Sequence, residues 1–412
     1  MRVERLRLTD FRSYRELDLT LPAGLTIFYG RNAQGKSNLL EAISLISTTR
    51  SFRTSSEREA IRWGASGRFA RVVANIARSR DTLEIEVLLA EGVEDTTATA
   101  PASERAPADP SGATFRKRVK VNGAPRRAID LVGQAPIVVF APTDLDLVTG
   151  GPAQRRHFLD LTLCQTHPAY CRSLSRYQKV IAQRSALLKR IRDGLETPQS
   201  LAYWDDQLTQ LALPIMGERA NFLERASVSA ARVYAALDGA EAPGDHASDE
   251  SEGLRLVYRP SYQPAQMALT PTADAEQQRK GMLTALEAVR RREIAQGANV
   301  IGPHRDDVGF FAGGVDLAIY GSRGQQRTVA LALKLAELEY IEAETGEQPA
   351  LLLDDVLSEL DPQRREDLLT AVQRLDQTLV TTTDLTIAPV NALQRATLYE
   401  VSAGAVTKKP LT

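Results

Sequence analysis

The segment "GRNAQGKS" at residues 30–37 constrains the fold of this chain more than any other feature, because its spacing matches G-x-x-x-x-G-K-[ST]. In such a loop the glycines let backbone N–H groups close around phosphate oxygens, the lysine reaches the β- and γ-phosphates, and the hydroxyl holds Mg²⁺. The apolar run Leu25–Tyr29 before it predicts a strand, and apolar residues at helical spacing in 38–46 predict a helix. Strand, glycine-rich loop and helix together indicate a nucleotide-binding site.

The predicted nucleotide site covers the whole loop and the first turn of the helix after it. Lys36 is the candidate catalytic lysine and Ser37 a candidate Mg²⁺ ligand. The candidate nucleotide-binding residues are Gly30, Arg31, Asn32, Ala33, Gln34, Gly35, Lys36, Ser37 and Asn38.

Length and composition indicate an ordinary globular protein without an unusual site for cysteine or histidine. The 412 residues suffice for two domains with sizeable cores, and the chain is 43% hydrophobic and 25% charged. Cys164 and Cys171, the two cysteines, argue against a disulfide framework or a zinc ribbon, and the four histidines form no metal-spaced cluster. A net charge of −1 does not announce a nucleic-acid binder, but a local basic patch can be balanced elsewhere.

Neither a signal peptide nor an apolar run of about 18 residues is apparent, which predicts a soluble cytoplasmic protein without a membrane partner. Changes in the hydrophobic pattern along the chain predict an α/β domain, with a mixed sheet plus helices, from 1–150 and 300–412. Between them, 151–299 predicts an inserted, mostly helical domain. The Ala/Pro/Thr/Asp-rich segment 91–114 predicts a flexible surface insertion, and 240–253 an acidic loop.

The segment "LLLDDVLSELDP" at 351–362 is the expected complement of the phosphate loop. Three leucines predict a buried parallel strand, and ligands bind at the carboxyl ends of such strands. Asp354 is there a candidate Mg²⁺ ligand, and Asp355 is suited to orienting or deprotonating the attacking water. The alternative is a strand terminus that simply meets solvent.

A second glycine turn, "YGSRGQQRTVALALKL", precedes another predicted helix at 320–335. A glycine turn at a helix N-terminus is a further anion-binding feature, although one phosphate loop supplies only one nucleotide. A head-to-tail homodimer resolves this, with Ser322 and Gly324 of one chain capping the nucleotide held by the other. The alternative is an N-capped core helix.

Taken in order, "LRLTDFRSYRELDL", the phosphate loop, "GPHRDD" at 302–307, "YGSRGQQRT" and "LLLDDVLSELD" frame nearly the whole chain. This series resembles the ABC-type ATPase heads of the SMC-like family, and within it the bacterial recombination mediators. The resemblance implies an ABC-type head with an inserted helical arm, Walker B roles for Asp354 and Asp355, and nucleotide contacts by Arg12 and Asn32. It further implies a signature motif, acting in trans, at Ser322, Arg323, Gly324, Gln325 and Gln326, and a D-loop from Ser358 to Asp361.

Some positions depart from the family pattern. Asp355 stands where many ABC proteins carry glutamate, and its shorter arm fits slow hydrolysis used as a timer. No histidine follows the last core strand, so Thr383 is the candidate switch residue that senses the γ-phosphate. Asp144 is a candidate for the Q-loop position.

Basic residues concentrate in two stretches, and neutralising phosphates with such residues gives sequence-independent affinity for nucleic acid. The alternative is that these side chains are solvated or paired within the chain. The candidate DNA-binding residues are Arg50, Arg53, Arg58, Arg62, Arg116, Lys117, Arg118, Lys120, Arg126 and Arg127.

The resemblance implies a homodimer that forms on ATP and Mg²⁺, clamps double-stranded DNA or single-strand/duplex junctions, and is reset by weak, DNA-stimulated hydrolysis. It also implies assistance to RecA loading together with RecR and RecO, and hence association with the nucleoid. Two alternatives stay open: an ABC-type transport or signalling ATPase with a protein partner, and a P-loop kinase that acts as a monomer.

Overall fold

The computed structural model describes residues 1–54, 56–92, 115–238, 253–262 and 275–410. The predicted insertion at 91–114 and acidic loop at 240–253 therefore lie almost wholly outside the described residues. Packing divides the chain into a first unit, Met1–Asp144 with Ile341–Thr412, and a second unit, Leu145–Tyr340.

Strands form most of the first unit and a smaller part of the second. In chain order they are β1 (Arg2–Phe11), β2 (Tyr14–Thr20), β3 (Gly24–Tyr29), β4 (Phe69–Ala77), β5 (Thr82–Glu91), β6 (Phe115–Val121), β7 (Ala124–Arg126), β8 (Ile137–Phe140), β9 (Arg255–Arg259), β10 (Asp307–Ala312), β11 (Val315–Asp316), β12 (Ala350–Asp354), β13 (Gln377–Thr382), β14 (Thr397–Ser402) and β15 (Ala405–Lys409).

Helices dominate the second unit. The helices of both units, in chain order, are α1 (Lys36–Thr48), α2 (Ala128–Leu131), α3 (Pro152–Thr166), α4 (Pro168–Arg192), α5 (Leu201–Asp238), α6 (Ala275–Gln296), α7 (Leu317–Tyr320), α8 (Arg323–Thr345), α9 (Pro362–Ala371) and α10 (Val390–Arg395). Within the described ranges, no helix is both long and apolar enough to cross a membrane.

The core sheet of the first unit has the strand order β15-β14-β3-β13-β12-β8. Strands β14, β3, β13, β12 and β8 run parallel, and β15 adds an antiparallel edge. Every residue of β12 and β13 is buried, as expected for strands covered on both faces. The sheet is therefore mixed, which confirms the predicted fold class.

An antiparallel sheet with the order β2-β1-β4-β5-β6-β7 lies on the other side of α1, which is buried along most of its length. The buried Gln377 of β13 joins the sheets, because its side chain accepts from the N–H of Val3 and donates to the carbonyl of Val3, both at 2.8 Å. The turn between β6 and β7 is Asn122-Gly123, with φ of 49° and 76°, which is the left-handed geometry that an Asn-Gly pair favours in a hairpin.

The second unit packs α3 to α6 with a small sheet in the order β11-β10-β9. Its helices meet at Arg184 of α4, whose side chain is fully buried. The guanidinium donates to Asp205 of α5 at 2.8 Å, to Glu293 of α6 at 2.6 Å and to Asn299 at 2.6 Å. Arg290 also pairs with Asp205 at 2.9 Å, so two arginines offset the two buried carboxylates, which lie on different helices.

The packing division differs from the expected domain boundary at residue 300, because β10 pairs along its length with β9 of the helical region. The segment that carries the signature motif consequently belongs to the second unit. The division falls within α8, after Tyr340.

Replacing Arg184 with methionine should lower the free energy of unfolding by about 3–5 kcal/mol, because Glu293 would stay buried without its cation and Asp205 would keep only its pair with Arg290. Urea unfolding followed by far-UV circular dichroism measures this. The matched control is Arg190→Met on the same helix, where the exposed pair with Glu196 predicts a loss below about 1 kcal/mol. Equal losses in the two variants would contradict the assignment.

Candidate nucleotide-binding site

The loop after β3 needs glycine at both ends of the motif for steric reasons. Gly30 has φ of 149°, and a Cβ there would lie 2.3 Å from the carbonyl oxygen of Val401. Gly35 has φ of 112°, and a Cβ would lie 2.6 Å from Ser13 Oγ. Val401 of β14 and Ser13 of the turn between β1 and β2 thus leave no room for a side chain at these two positions.

The turn between β14 and β15 supports the loop, although Ala403 and Gln34 lie 369 residues apart in the sequence. The N–H of Ala403 donates to Gln34 Oε1 at 2.7 Å, and the N–H of Gly404 donates to the carbonyl of Gln34 at 3.2 Å. Loop residues Arg31, Asn32 and Ala33 are exposed. Sequence reasoning did not identify this support, because a short exposed turn carries no motif.

Lys36 is the first residue of α1 and is 7% exposed. Its ammonium donates to the carbonyl oxygens of Gly30 at 2.8 Å and Arg31 at 2.9 Å, so the cation lies within the curve of the loop. Burial lowers the pKa of Lys36, and the nearby carboxylates of Asp355 and Asp354 act in the opposite direction. A phosphate would compete with the two carbonyls for this ammonium.

The two aspartates predicted from "LLLDD" lie at the carboxyl end of β12, one strand away from β3 across β13. Thr381 of β13 holds both: its hydroxyl donates to Asp354 Oδ1 at 2.8 Å and accepts from the N–H of Asp355 at 3.0 Å. The parallel register places Asp354 beside Thr381, and Thr382 beside Tyr29 at the start of the phosphate loop. Both aspartates and the loop therefore end at the same edge of the sheet.

Asp355 has two features of a reactive group. Its backbone is left-handed, with φ of 55°, and its Oδ1 is buried without a hydrogen-bond partner in the described structure. Burial raises the pKa of Asp355, Lys36 lowers it, and Asp354 raises it further. A carboxylate oxygen without a hydrogen-bond partner is suited to accepting a hydrogen bond from water.

The residues predicted for the D-loop and switch lie next to these aspartates. Ser358 is exposed and donates to the carbonyl oxygen of Asp355 at 2.7 Å. Asp361 caps α9 by accepting from the N–H of Arg364 at 3.1 Å, and the Arg364 guanidinium holds the pKa of Asp361 below its usual value. Thr383 follows β13 directly and is half-buried.

Asp144 follows β8, which pairs with β12. Its carboxylate accepts from the N–H of Ala141 at 2.7 Å, so it closes the turn after β8. Asp144 thus follows a strand next to β12, and its Q-loop role stays a prediction.

Arg12 has a left-handed backbone, with φ of 52°, and its guanidinium forms a two-pronged ion pair with the buried Glu41 of α1 at 2.9 and 2.6 Å. Asn38, on the first turn of α1, donates to Ser13 at 3.0 Å and accepts from Arg53 at 2.7 Å. The turn between β1 and β2 is thereby fixed against the start of α1, with Arg12 beside the phosphate loop.

An open groove of about 750 Å³ begins at this turn. Trp63 stands at its edge with 97% of its surface exposed, although no sequence motif marks it. An aromatic ring so exposed beside several arginines is a candidate for stacking with a flat partner. Residues of the groove wall include Arg12, Ser13, Asn38, Arg58, Arg62 and Trp63.

The signature segment forms a capping box at the start of α8 in the second unit. The N–H of Gln325 donates to Ser322 Oγ at 3.2 Å, and the N–H of Ser322 donates to Gln325 Oε1 at 2.9 Å. Gln326 donates to the carbonyl of Leu317 at 3.0 Å. Ser322 and Arg323 are exposed and Gly324 is half-buried, so the segment is both a helix cap and a surface feature.

The "GPHRDD" segment is a packing centre of the second unit. Asp306 is fully buried and accepts from the N–H of Ser261 at 2.6 Å, from its hydroxyl at 2.8 Å and from the hydroxyl of Tyr258. His304 bonds to the hydroxyl of Tyr177 at 2.7 Å, and burial lowers the pKa of His304 to about 4. Asp307 pairs with Arg155 at 2.6 Å. These contacts assign the motif a structural task.

The predicted DNA-binding residues differ in their surroundings. Arg116, Arg118 and Lys120 lie at alternate positions of β6 and share one face, where Lys120 lies 3.7 Å from Glu86. Lys117 points the other way and pairs with Glu57 at 2.6 Å.

The remaining members of the set divide between exposed and paired side chains. Arg50 and Arg126 are exposed. Internal ion pairs join Arg62 to Asp10 at 2.6 Å, Arg58 to Glu91 at 3.9 Å and Arg127 to Asp130 at 2.7 Å.

The described residues contain no group of three or more His, Cys, Asp or Glu side chains arranged to hold a metal ion. Mg²⁺ at a nucleotide site does not need one, because it takes one or two protein oxygens and completes its shell with phosphates and water. Asp354, buried at the sheet edge, and Ser37, on the first turn of α1, are the donors that fit such an ion.

The fold and the site together define an ABC-type P-loop ATPase head. A family model described as the RecF/RecN/SMC N terminal domain matches residues 2–402. The DNA replication and repair protein RecF of Chloroflexus aurantiacus is 41% identical over 98% of this chain and 99% of its own. The protein of the same description from Halalkalibacterium halodurans is 37% identical over 99% and 100%. The chain belongs to the RecF family.

Solved structures agree with this assignment. The structure of the recombination mediator protein RecF-ATPrS in the RecFOR pathway has a TM-score of 0.81 and 28% identity, and covers 99% of this chain and 98% of that one. An Smc head bound to the C-winged helix domain of ScpA, at 14% identity and a TM-score of 0.51, shares the fold.

Replacing Asp355 with asparagine should raise the unfolding temperature of the nucleotide-free protein near pH 7. The native pKa of Asp355 is raised, so its ionisation opposes folding at pH values above the unfolded pKa. This advantage should vanish below about pH 4, where the carboxyl is protonated in both states. Thermal melts at the two pH values test it, and a destabilised variant at both would contradict the role of burial.

Proposed function

We propose that this protein is an ATP-dependent DNA-binding protein of recombinational repair and replication-fork maintenance. The observation that carries the proposal is one sheet edge where Lys36 and the phosphate loop meet Asp354 and Asp355, in a chain of the RecF family. Its curated relatives are described as DNA replication and repair proteins, and a solved relative as a RecF-ATP structure.

ATP is the proposed nucleotide, held with Mg²⁺. The loop amides and Lys36 would take the phosphates, and Ser37 with Asp354 would hold the ion. Asp355 would orient the attacking water, with Thr383 as the sensor of the γ-phosphate. The short arm of an aspartate at this position supports slow hydrolysis that resets the protein, rather than rapid turnover.

A nucleotide site shared between two chains is the proposed switch. The exposed capping box at Ser322 would cover the nucleotide bound in the partner subunit, and the D-loop residues Ser358 and Asp361 would lie at the seam. Exposure of Ser322, Ser358 and Asp361 supports this arrangement, because a contact in trans requires surface residues. A P-loop kinase would not need such a segment to complete its site.

Double-stranded DNA, including junctions with single strands, is the proposed partner of the dimer. Arg50, Arg118 and Arg126 are exposed among the predicted contacts, whereas Lys117 would have to give up its pair with Glu57. Contacts to phosphates, with no base-reading module, would make binding independent of sequence and sensitive to salt. Cooperation with RecR and RecO in RecA loading is proposed from the family.

Three variants test the shared site by sedimentation with ATP, Mg²⁺ and labelled duplex DNA. Asp355→Asn should trap the ATP dimer, and the duplex should sediment with it. Lys36→Met should remove nucleotide binding and remain monomeric. Ser322→Arg should bind ATP yet remain monomeric, because a bulky cation replaces the small residue that would face the partner subunit's nucleotide.

The matched control is Ser322→Ala, which loses the same cap hydrogen bond, worth about 1 kcal/mol, without adding bulk. Both Ser322 variants should therefore melt at similar temperatures, and only the arginine should prevent dimerisation. Normal dimerisation of Ser322→Arg would show that the nucleotide site is not shared between the two chains.

Trp63 should stack on the adenine base, because its exposed ring lines the groove whose wall also includes Asn38 of the first turn of α1. The chain has two tryptophans, so a Trp204→Phe background isolates the fluorescence of Trp63. Adding ATP should quench or shift this emission, and Trp63→Ala should weaken ATP binding by about 1–3 kcal/mol, the usual worth of a stacked base. Lys36→Met in the same background is the control without nucleotide. Unchanged emission at saturating ATP would contradict the stacking.

A further inference from the structure

Helix α4 of the second unit has an unusual charge composition. Its 25 residues, Pro168–Arg192, include seven lysines and arginines and not one aspartate or glutamate. The chain as a whole is balanced, with 51 basic and 52 acidic residues. The helix is about 37 Å long, so this charge extends over a considerable distance.

Three of these basic residues form one stripe on the solvent face of α4. Arg172, Arg176 and Lys179 are all exposed and follow one another at spacings of four and three residues, which places them on the same side of a helix. The opposite side is buried through Tyr177 and Leu188. We call these three residues the α4 stripe.

The α4 stripe is distinguished by its lack of internal partners. Within the described part of the chain, its three side chains form no hydrogen bond or ion pair. The other arginines of the same helix are paired: Arg184 with buried carboxylates, Arg190 with Glu196 at 3.0 Å and Arg192 with Asp193 at 3.1 Å. Three adjacent like charges without counter-charges repel one another, which favours an anionic ligand at this surface.

The chemistry around the α4 stripe favours a polyphosphate over an acidic protein. Exposed positions along the same face, Gln183 and Ala186, are polar or small. Exposed large apolar side chains, such as Leu195 and Tyr203, occur beyond the end of α4. Protein interfaces depend on buried apolar and aromatic anchors, whereas a phosphate backbone is bound by charge alone.

We propose that the α4 stripe binds the phosphate backbone of a DNA duplex, as a contact separate from the basic strands of the first unit. This proposal rests on the DNA binding proposed above. Arginine suits the task because its fork of N–H donors matches phosphate oxygens. The helical unit then takes a direct part in holding DNA.

The test compares the salt dependence of duplex binding between full-length variants with ATP and Mg²⁺, by fluorescence anisotropy. The stripe variant is Arg172→Gln/Arg176→Gln/Lys179→Gln, and glutamine preserves helix propensity. Its slope of log K against log salt should be shallower than wild type by about 2–3, since each lost phosphate contact removes about 0.9. At about 0.1 M salt this corresponds to roughly 100-fold weaker binding of a duplex of about 30 base pairs.

The matched control is Arg192→Gln/Arg232→Gln/Arg279→Gln, which removes three charges of the same unit that already have carboxylate partners. Its slope should stay within about 0.5 of wild type. A stripe variant with the wild-type slope would overturn this proposal while leaving DNA binding intact. Loss of affinity for polyglutamate alone would assign the stripe to an acidic protein instead. A wild-type protein without affinity for duplex would overturn both this proposal and the DNA-binding part of the proposed function.

Discussion

The hydroxyl of Thr381 is the contact on which the geometry of the site depends. It donates to the carboxylate of Asp354 and accepts from the backbone N–H of Asp355, so one side chain fixes the metal-binding candidate and the catalytic candidate together. Thr381 can do this because β13 lies between β12 and β3 in parallel register. The central strand of the sheet therefore transmits the position of the phosphate loop to the two aspartates, and a shift of one register position would turn Thr381 to the other face.

Steric constraints also fix the shape of the phosphate loop. Gly30 and Gly35 lie so close to Val401 and Ser13 that any side chain would collide with them. The loop is thus shaped by strands from both ends of the chain, since Ala403 and Gly404 also bind Gln34. A phosphate site built in this way is fixed before the ligand arrives, which reduces the entropy lost on binding.

Much of this arrangement could be predicted from the sequence, because its signals are local. The phosphate loop with its flanking strand and helix, at residues 25–46, is recognised from a short local spacing. The leucine run that ends at Asp354 and the Asn122-Gly123 pair are local signals of the same kind. Side-chain partners could not be predicted in the same way. Lys117 and Arg118 are adjacent in a basic run, yet strand alternation sends the first to Glu57 and leaves the second exposed. Trp63 and the Ala403-Gly404 turn carry no periodicity. Only the folded chain shows that the turn binds the phosphate loop and that Trp63 lines a groove with Asn38.

Charge pairing separates the structural arginines from those available to a ligand. In the first unit, Arg12 is committed to Glu41, and in the second Arg184 is committed to Asp205 and Glu293. Replacing such residues would disturb packing as well as any binding, and their variants could not distinguish the two. Within the described residues, the side chains of the α4 stripe and of Arg126 form no such pair, so replacing them should change ligand binding without disturbing the packing. A basic residue that the fold leaves unpaired is thus a better guide to a polyanion surface than the density of basic residues in the sequence.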